Sequence, residues 1–254
     1  MKQQSASRRH RHDATHKTMS LLKSRRIVEL SHRMVPGGEE FPLELKTFNT
    51  DEVMAQTARR EEHRIERRAD IWYILQEVLM GSHVGTHVEF PYHHRKDGMS
   101  AADYPLDRLL GETVLLDFSH KKKDEEITRQ EIIDTGVEIR AGDIVLIRTD
   151  MHKLWKTPRG HDRPVLSLEA THYLVEDVGI HCIGTDATGL EVRGRNDQPV
   201  HELLFANDVA MIESLTNLDQ LRSTRFEIIV LPLMVEGMDS CSVRVVALEQ
   251  EDRP

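Results

Sequence analysis

The chain has 254 residues, 39% hydrophobic and 30% charged, enough for one large domain or two small ones with a real buried core. No stretch approaches the roughly 18 consecutive apolar residues of a membrane helix, and the basic start leads into no apolar run of signal-peptide length. The net charge of −9 hides an asymmetry: residues 1–26 hold eight Lys/Arg against one Asp, which leaves −16 on residues 27–254. A body that acidic repels a phosphate backbone and argues against nucleic acid as a partner.

Residues 1–26 read as a disordered basic leader, or as a remnant ahead of a natural start at Met19. The two cysteines, Cys182 and Cys241, stand 59 positions apart, too few and too scattered for a disulfide framework or a thiolate zinc site. The expected setting is the cytoplasm, with a small molecule as partner and neither membrane nor nucleic acid involved.

Along the chain, residues 26–31 (RIVELS) alternate like a strand, and Pro36-Gly37-Gly38 marks a turn. Residues 51–69 lack Gly and Pro and place Glu and Arg at helical spacings, predicting a largely solvated helix. A strand over residues 71–80 then delivers the chain to a histidine-rich segment. Residues 114–118 and 143–149 are apolar, β-branched runs expected of buried strands. Residues 167–177 (SLEATHYLVED) read as a helix capped by Ser167, and 179–186 and 226–233 as further strands. No internal repeat or linker divides residues 27–254, so a single domain is expected. Its class is α/β, or a mixed α+β form of it, because strands and helices interleave.

Residues 83–94, HVGTHVEFPYHH, gather His83, His87, Glu89, His93 and His94 around a Gly and a Pro. Neutral imidazole and carboxylate suit borderline divalent ions such as Zn²⁺ and Mn²⁺. A helix is disfavoured here by Val84, Gly85, Thr86, Val88 and Pro91. A straight strand would set the Cα atoms of His83 and His87 roughly 13 Å apart, too far to share an ion comfortably. The backbone must therefore bend, and Gly85 permits it. His87 and Glu89 fall on one face of an extended segment, and Pro91 re-aims the chain to present His93. The best distant ligand candidates are His201 and Glu213, with His181 behind them.

The segment resembles the cyclase family, which includes bacterial kynurenine formamidase and isatin hydrolase. Its pattern HxGTHxDxPxH is met by His83, Gly85, Thr86, His87, Glu89, Pro91 and His93, with Glu where the pattern has Asp. DIVLIRTD at 143–150, IGTDATGLE at 183–191, PVHELLFANDVAMIESLTNLDQL at 199–221 and LPLMVEGMDSCSVRVVAL at 231–248 extend the resemblance over roughly residues 27–250. It implies a swivelling β/β/α-type fold around a mixed sheet, in a homodimer or homotetramer. It further implies that His83, His87 and Glu89 bind one metal ion, while His93, His201 and Glu213 help bind a second when the site is binuclear. His93 would also be the catalytic base or proton shuttle. His94 replaces a Phe that commonly follows the last motif histidine, and the 51–69 segment is longer than its formamidase counterpart.

The implied activity is metal-dependent hydrolysis of a small formamide, lactam or cyclic amide, with one or two Zn²⁺ or Mn²⁺ ions activating water and His93 moving protons. His94, Asp186, Thr188 and Trp72 are the candidate substrate contacts, and Trp155 a possible aromatic wall. Three other readings stand beside this one: a metal-dependent cyclase or dehydratase, a non-catalytic metal-binding member, and nucleic-acid binding through the basic tail.

Overall fold

The β-branched run Ile144–Arg148 (β7) forms the middle strand of a nine-stranded sheet in a computed structural model that describes residues 25–61, 70–192, 194 and 196–251. On one side β7 pairs in parallel with β5 (Leu110–Asp117), followed by antiparallel β11 (Arg225–Val230), β13 (Val245–Gln250) and β1 (Arg25–Glu29). On the other it pairs with parallel β9 (Cys182–Thr185) and β10 (Ala210–Glu213), then antiparallel β4 (His87–Glu89) and β12 (Ser240–Ser242). The class is therefore mixed α+β, built on a large mixed sheet.

The middle strand β7 is apolar at its first four positions, Ile144–Ile147, because both faces are covered there. Ile144 and Leu146 of β7 face a core shared with Val88, Ile212, Ile228 and Val230, whereas Val145 and Ile147 face a second core with Ile183 and Met211. The second core is roofed by α2 (Arg129–Asp134), α3 (Leu168–His172) and α4 (Pro199–Ala206), which contribute Ile132, Ala170, Leu204 and Phe205. The first core is closed by the sheet itself. Beyond β1, Leu30 donates its N–H to Val245, and Ser31 bridges Leu215 just past β10, so the sheet curls and its two ends meet.

Local signals explain the element ends. Pro36 and Gly37 form a turn in which Gly38 N–H reaches Val35 O and Gly37 takes φ +73°, which glycine tolerates without strain. Ser167 caps α3 by accepting the Ala170 N–H, and the helix widens into a π turn over Tyr173–Val178 before Gly179 stops it at φ +79°. The expected helix over 51–69 is found as α1 (Thr50–Glu61), and residues 62–69 lie outside the described set, as do residues 1–24 of the basic leader. The strand expected over 71–80 starts only at β3 (Leu75–Met80), which pairs with β2 (Leu43–Phe48) in an exposed two-stranded ribbon. A second small pair joins β6 (Glu126–Ile127) to β8 (Val165–Leu166). Among the described residues, no helix is long and apolar enough to cross a membrane.

Candidate metal centre

The short strand β4 carries the site, and its alternation decides which side chains enter it. Val88 is fully buried in the first core, so His87 and Glu89 point the other way. The antiparallel register places Glu213 of β10 directly opposite His87, close enough for side chains to interact across the strands. Gly85, at φ +66°, supplies the bend that folds His83 back beside His87, and the ring centroids of the two lie 5.0 Å apart. A Cβ at Gly85 would stand 2.8 Å from the Met34 side chain, so the position requires glycine twice over. Thr86 locks the bend: its hydroxyl donates to Ser214 O at 2.6 Å and accepts the His32 N–H at 2.9 Å.

Six side chains converge there. His83 Nδ1 lies 2.9 Å from Glu89 Oε1, and His87 Nε2 lies 3.6 Å both from that oxygen and from Glu213 Oε2. His201, on the first turn of α4, brings Nε2 to 3.5 Å from Glu89 Oε2 and 3.8 Å from Glu213 Oε1. His93 Nε2 stands at 4.0 Å from Glu89 Oε1. Glu89 is thus common to two ligand groups, one with His83 and His87 and one with His201 and Glu213. Its extra methylene over Asp lets one carboxylate face both.

The donor set fits a divalent ion. Nitrogen and oxygen ligands about 2.0–2.2 Å from zinc lie 3–4 Å from one another, which is the spacing found here. His87 Nε2 and Glu89 Oε2 are buried with no hydrogen-bond partner, a costly arrangement unless something else satisfies them. The remaining nitrogens are held: His87 Nδ1 donates to Gly85 O at 2.9 Å, and His201 Nδ1 to Glu191 Oε2 at 3.2 Å. Such outer partners orient metal-binding imidazoles.

Charge balance in the metal-free cluster points the same way. Burial alone would lower His83, but the adjoining Glu89 carboxylate, seconded by Asp239, raises it to about 8. Burial is likewise outweighed at His201, where Glu191, Glu213 and Glu89 hold the imidazolium up to about 11. Burial would raise Glu89, yet His201, His83 and His87 keep it well below the usual carboxylate range. His94 is lowered by burial and by the neighbouring His201 and His93.

The centre opens into a cavity of about 570 Å³ whose other walls include Phe41, Trp155, His161, Arg163 and Thr188. That volume suits a small organic ligand. Of the four expected substrate contacts, Thr188 is in the wall, its hydroxyl 2.9 Å from His161 Nδ1. His94 does not line the cavity; it stacks on His201, with centroids 5.2 Å apart, and packs against Phe205. Asp186 is turned inward, where it accepts the Thr149 N–H and hydroxyl and pairs with His152. Trp72 is 81% exposed beside the ribbon and does not line the cavity, because residues 70–74 lie exposed at the surface. Trp155 takes the aromatic role instead, stacked on His32 at 4.4 Å. His181 also lies elsewhere, packed beside Gly142.

Two carboxylates escaped sequence reasoning. Glu191 anchors the start of α4, its Oε2 accepting the N–H groups of Val200 at 2.8 Å and His201 at 3.2 Å. Asp239 contacts both His83 and His93. Both stand inside the segments 183–191 and 231–248 quoted above, which was the available signal.

A curled mixed sheet that focuses histidines and carboxylates on one half-open cavity defines a metal-centre protein of the α+β class. Residues 28–192 match the family model described as "Putative cyclase", and the chain belongs to that cyclase family. It is similar to the kynurenine formamidase of Sphingopyxis alaskensis, 31% identical over 170 residues that cover 66% of this chain and 77% of the relative. The kynurenine formamidase of Salinibacter ruber is 28% identical over 234 residues, 92% of this chain and all of that one. Among solved structures, isatin hydrolase A of Labrenzia aggregata bound to benzyl benzoate superposes with TM-score 0.70 at 23% identity, covering 90% and 95% of the two chains, a likeness of fold.

Proposed function

We propose that the protein is a metal-dependent amide hydrolase acting on an aryl formamide, lactam or similar cyclic amide. The observation that carries this reading is the pair of buried, unsatisfied ligand atoms, His87 Nε2 and Glu89 Oε2, at the centre of the six converging side chains. His83, His87 and Glu89 would hold one Zn²⁺ or Mn²⁺ ion, and Glu89, His201 and Glu213, with His93 beside them, a second. Bound metal supplies Lewis acidity, lowering the pKa of water and polarising the amide carbonyl. His93, with Nε2 facing the cluster, takes a proton from the attacking water and returns it to the departing nitrogen. Phe41 and Trp155 offer aromatic surface to a planar ring. The family names of the formamidase relatives support the substrate class.

The same reading gives a cytoplasmic homodimer or homotetramer with a small-molecule substrate and no nucleic-acid or membrane partner. Support for assembly comes from apolar side chains left exposed on and beside the ribbon, among them Trp72, Val78 and Leu79.

The test is turnover of N-formyl arylamines and aryl lactams by protein loaded with zinc or manganese. Chelation should abolish activity and added metal restore it. His87→Ala should lose both metal and turnover; a variant that kept both would refute the assignment.

A further inference from the structure

One carboxylate oxygen lies between the two histidines that the proposed reaction uses most differently. Asp239 Oδ2 is 3.1 Å from His83 Nε2 and 2.9 Å from His93 Nδ1, and the two rings sit side by side with centroids 4.6 Å apart. An ionised carboxylate can only accept, so the ring nitrogen facing it must carry the hydrogen in each case. The other nitrogen of each ring is thereby defined. In His83 it is Nδ1, 2.9 Å from Glu89; in His93 it is Nε2, 4.0 Å from the same oxygen of Glu89.

The backbone fixes Asp239 in that place. Ser240 of β12 pairs with Glu89 of β4, and the Asp239 carbonyl accepts the Phe90 N–H at 3.0 Å one step along the same ladder. Ser240 Oγ ties the neighbouring turn by donating to Ser82 O at 3.1 Å. The carboxylate therefore reaches both imidazoles from the side away from Glu89, on the residue just before β12 that the ladder holds through its carbonyl.

We propose that Asp239 is a positioning residue that sets two tautomers with one oxygen: His83 offers Nδ1 as ligand, and His93 offers Nε2 as proton acceptor. The inference rests on the amide-hydrolase reading for its catalytic half only. His83 then differs from His87 and His201, whose Nδ1 atoms are engaged by Gly85 O and Glu191 and whose Nε2 atoms face the cluster. When His93 takes a proton, the Asp239 charge behind it stabilises the resulting imidazolium, the role a buried carboxylate plays behind a general-base histidine.

Asp239→Asn keeps the shape and removes the charge. Its expected effects are a fall in metal affinity and in kcat of about 10–100-fold each, with KM changed by less than about threefold. Imidazole ¹⁵N spectra of metal-free protein above pH 9 should show His83 protonated at Nε2 and His93 at Nδ1. In Asp239→Leu, which offers no acceptor, these two should lose their single tautomer while the His87 and His201 signals stay as in the wild type. Asp239→Glu, which retains a charged acceptor, should recover part of the metal affinity. Unchanged spectra of His83 and His93 in Asp239→Leu would overturn the proposal. So would a metal ion held by His83, His93 and Asp239 themselves, read as one ion fewer per chain in the variant. A wild type inert to every amide but carrying the two tautomers, lost in the variant, would overturn the amidase reading and leave this one standing.

Discussion

Replacing Glu191 by Gln tests how far the centre depends on the carboxylate that holds His201 and the start of α4. Its carboxylate is buried and accepts four hydrogen bonds: Val192 N–H on Oε1, and Val200 N–H, His201 N–H and His201 Nδ1–H on Oε2. Gln198 at the helix start offers no side-chain cap, so Glu191 performs that task from outside the helix. Gln has only one acceptor oxygen. If it takes the Oε2 position, an NH₂ group confronts the Val192 N–H; if it takes the other, the NH₂ confronts three donors. The milder case strands one buried donor, at about 1–3 kcal/mol, and removes the anion from the helix N-terminus, at about 0.3–1 kcal/mol. The folded metal-free protein should therefore lose about 1–4 kcal/mol in a urea melt. Without a fixed Nδ1–H, His201 should bind metal about 10–100-fold more weakly in competition with a chromogenic chelator. A Glu191→Gln protein with wild-type urea midpoint and metal affinity would refute the reasoning.

Three other outcomes are expected. Metal uptake at pH 7 should release at least two protons, because His83 at about 8 and His201 at about 11 are both charged there and must be neutral to bind; calorimetry in buffers of different ionisation enthalpy measures the number. Gly189→Ala should weaken metal binding and stability together, since its backbone has φ +110° and the new Cβ would stand 2.7 Å from Glu213 Oε1; an unchanged melting curve with full metal content would contradict this. Glu131, hydrogen-bonded to Lys121 and to the Thr128 cap of α2, is held at about 2, so its stabilisation is complete above its ordinary carboxylate range and fades as pH falls from there toward 2. Glu131→Gln should remove about 1 kcal/mol at pH 7, less at high salt because the pair is partly exposed, and nothing near pH 2.

What the sequence revealed and what it concealed divide along a physical line. The ligands on β4 were legible because one short segment supplies His83, His87, Glu89 and His93, and because Gly85 and Pro91 restrict how it can bend. Central strands such as β7 were legible from continuous β-branched runs. Asp239 was not, since it meets its histidines only through strand order, 156 and 146 residues away; Glu191 stands ten residues before His201 and caps α4 from outside the helix, a contact that no local pattern marks. Asp186 misled for the related reason that a polar residue leaving a strand can turn either way; here Thr149 and His152 draw it inward. Of the two tryptophans expected at the cavity, one is there. Trp155 is brought to the cavity by its stack on His32, while Trp72 is left at the surface.

The three-residue strand β4 lies between β10 and β12 with every neighbour assigned, Glu213 opposite His87 and Ser240 opposite Glu89. Sliding that strand by one position would rotate both ligands into hydrocarbon and expose Val88 to the cavity. So brief a segment has little pairing energy of its own with which to refuse the wrong alignment. An ion that bound only the correct one would favour that alignment during folding, and chains matured without metal would then accumulate misaligned forms that later loading rescues slowly.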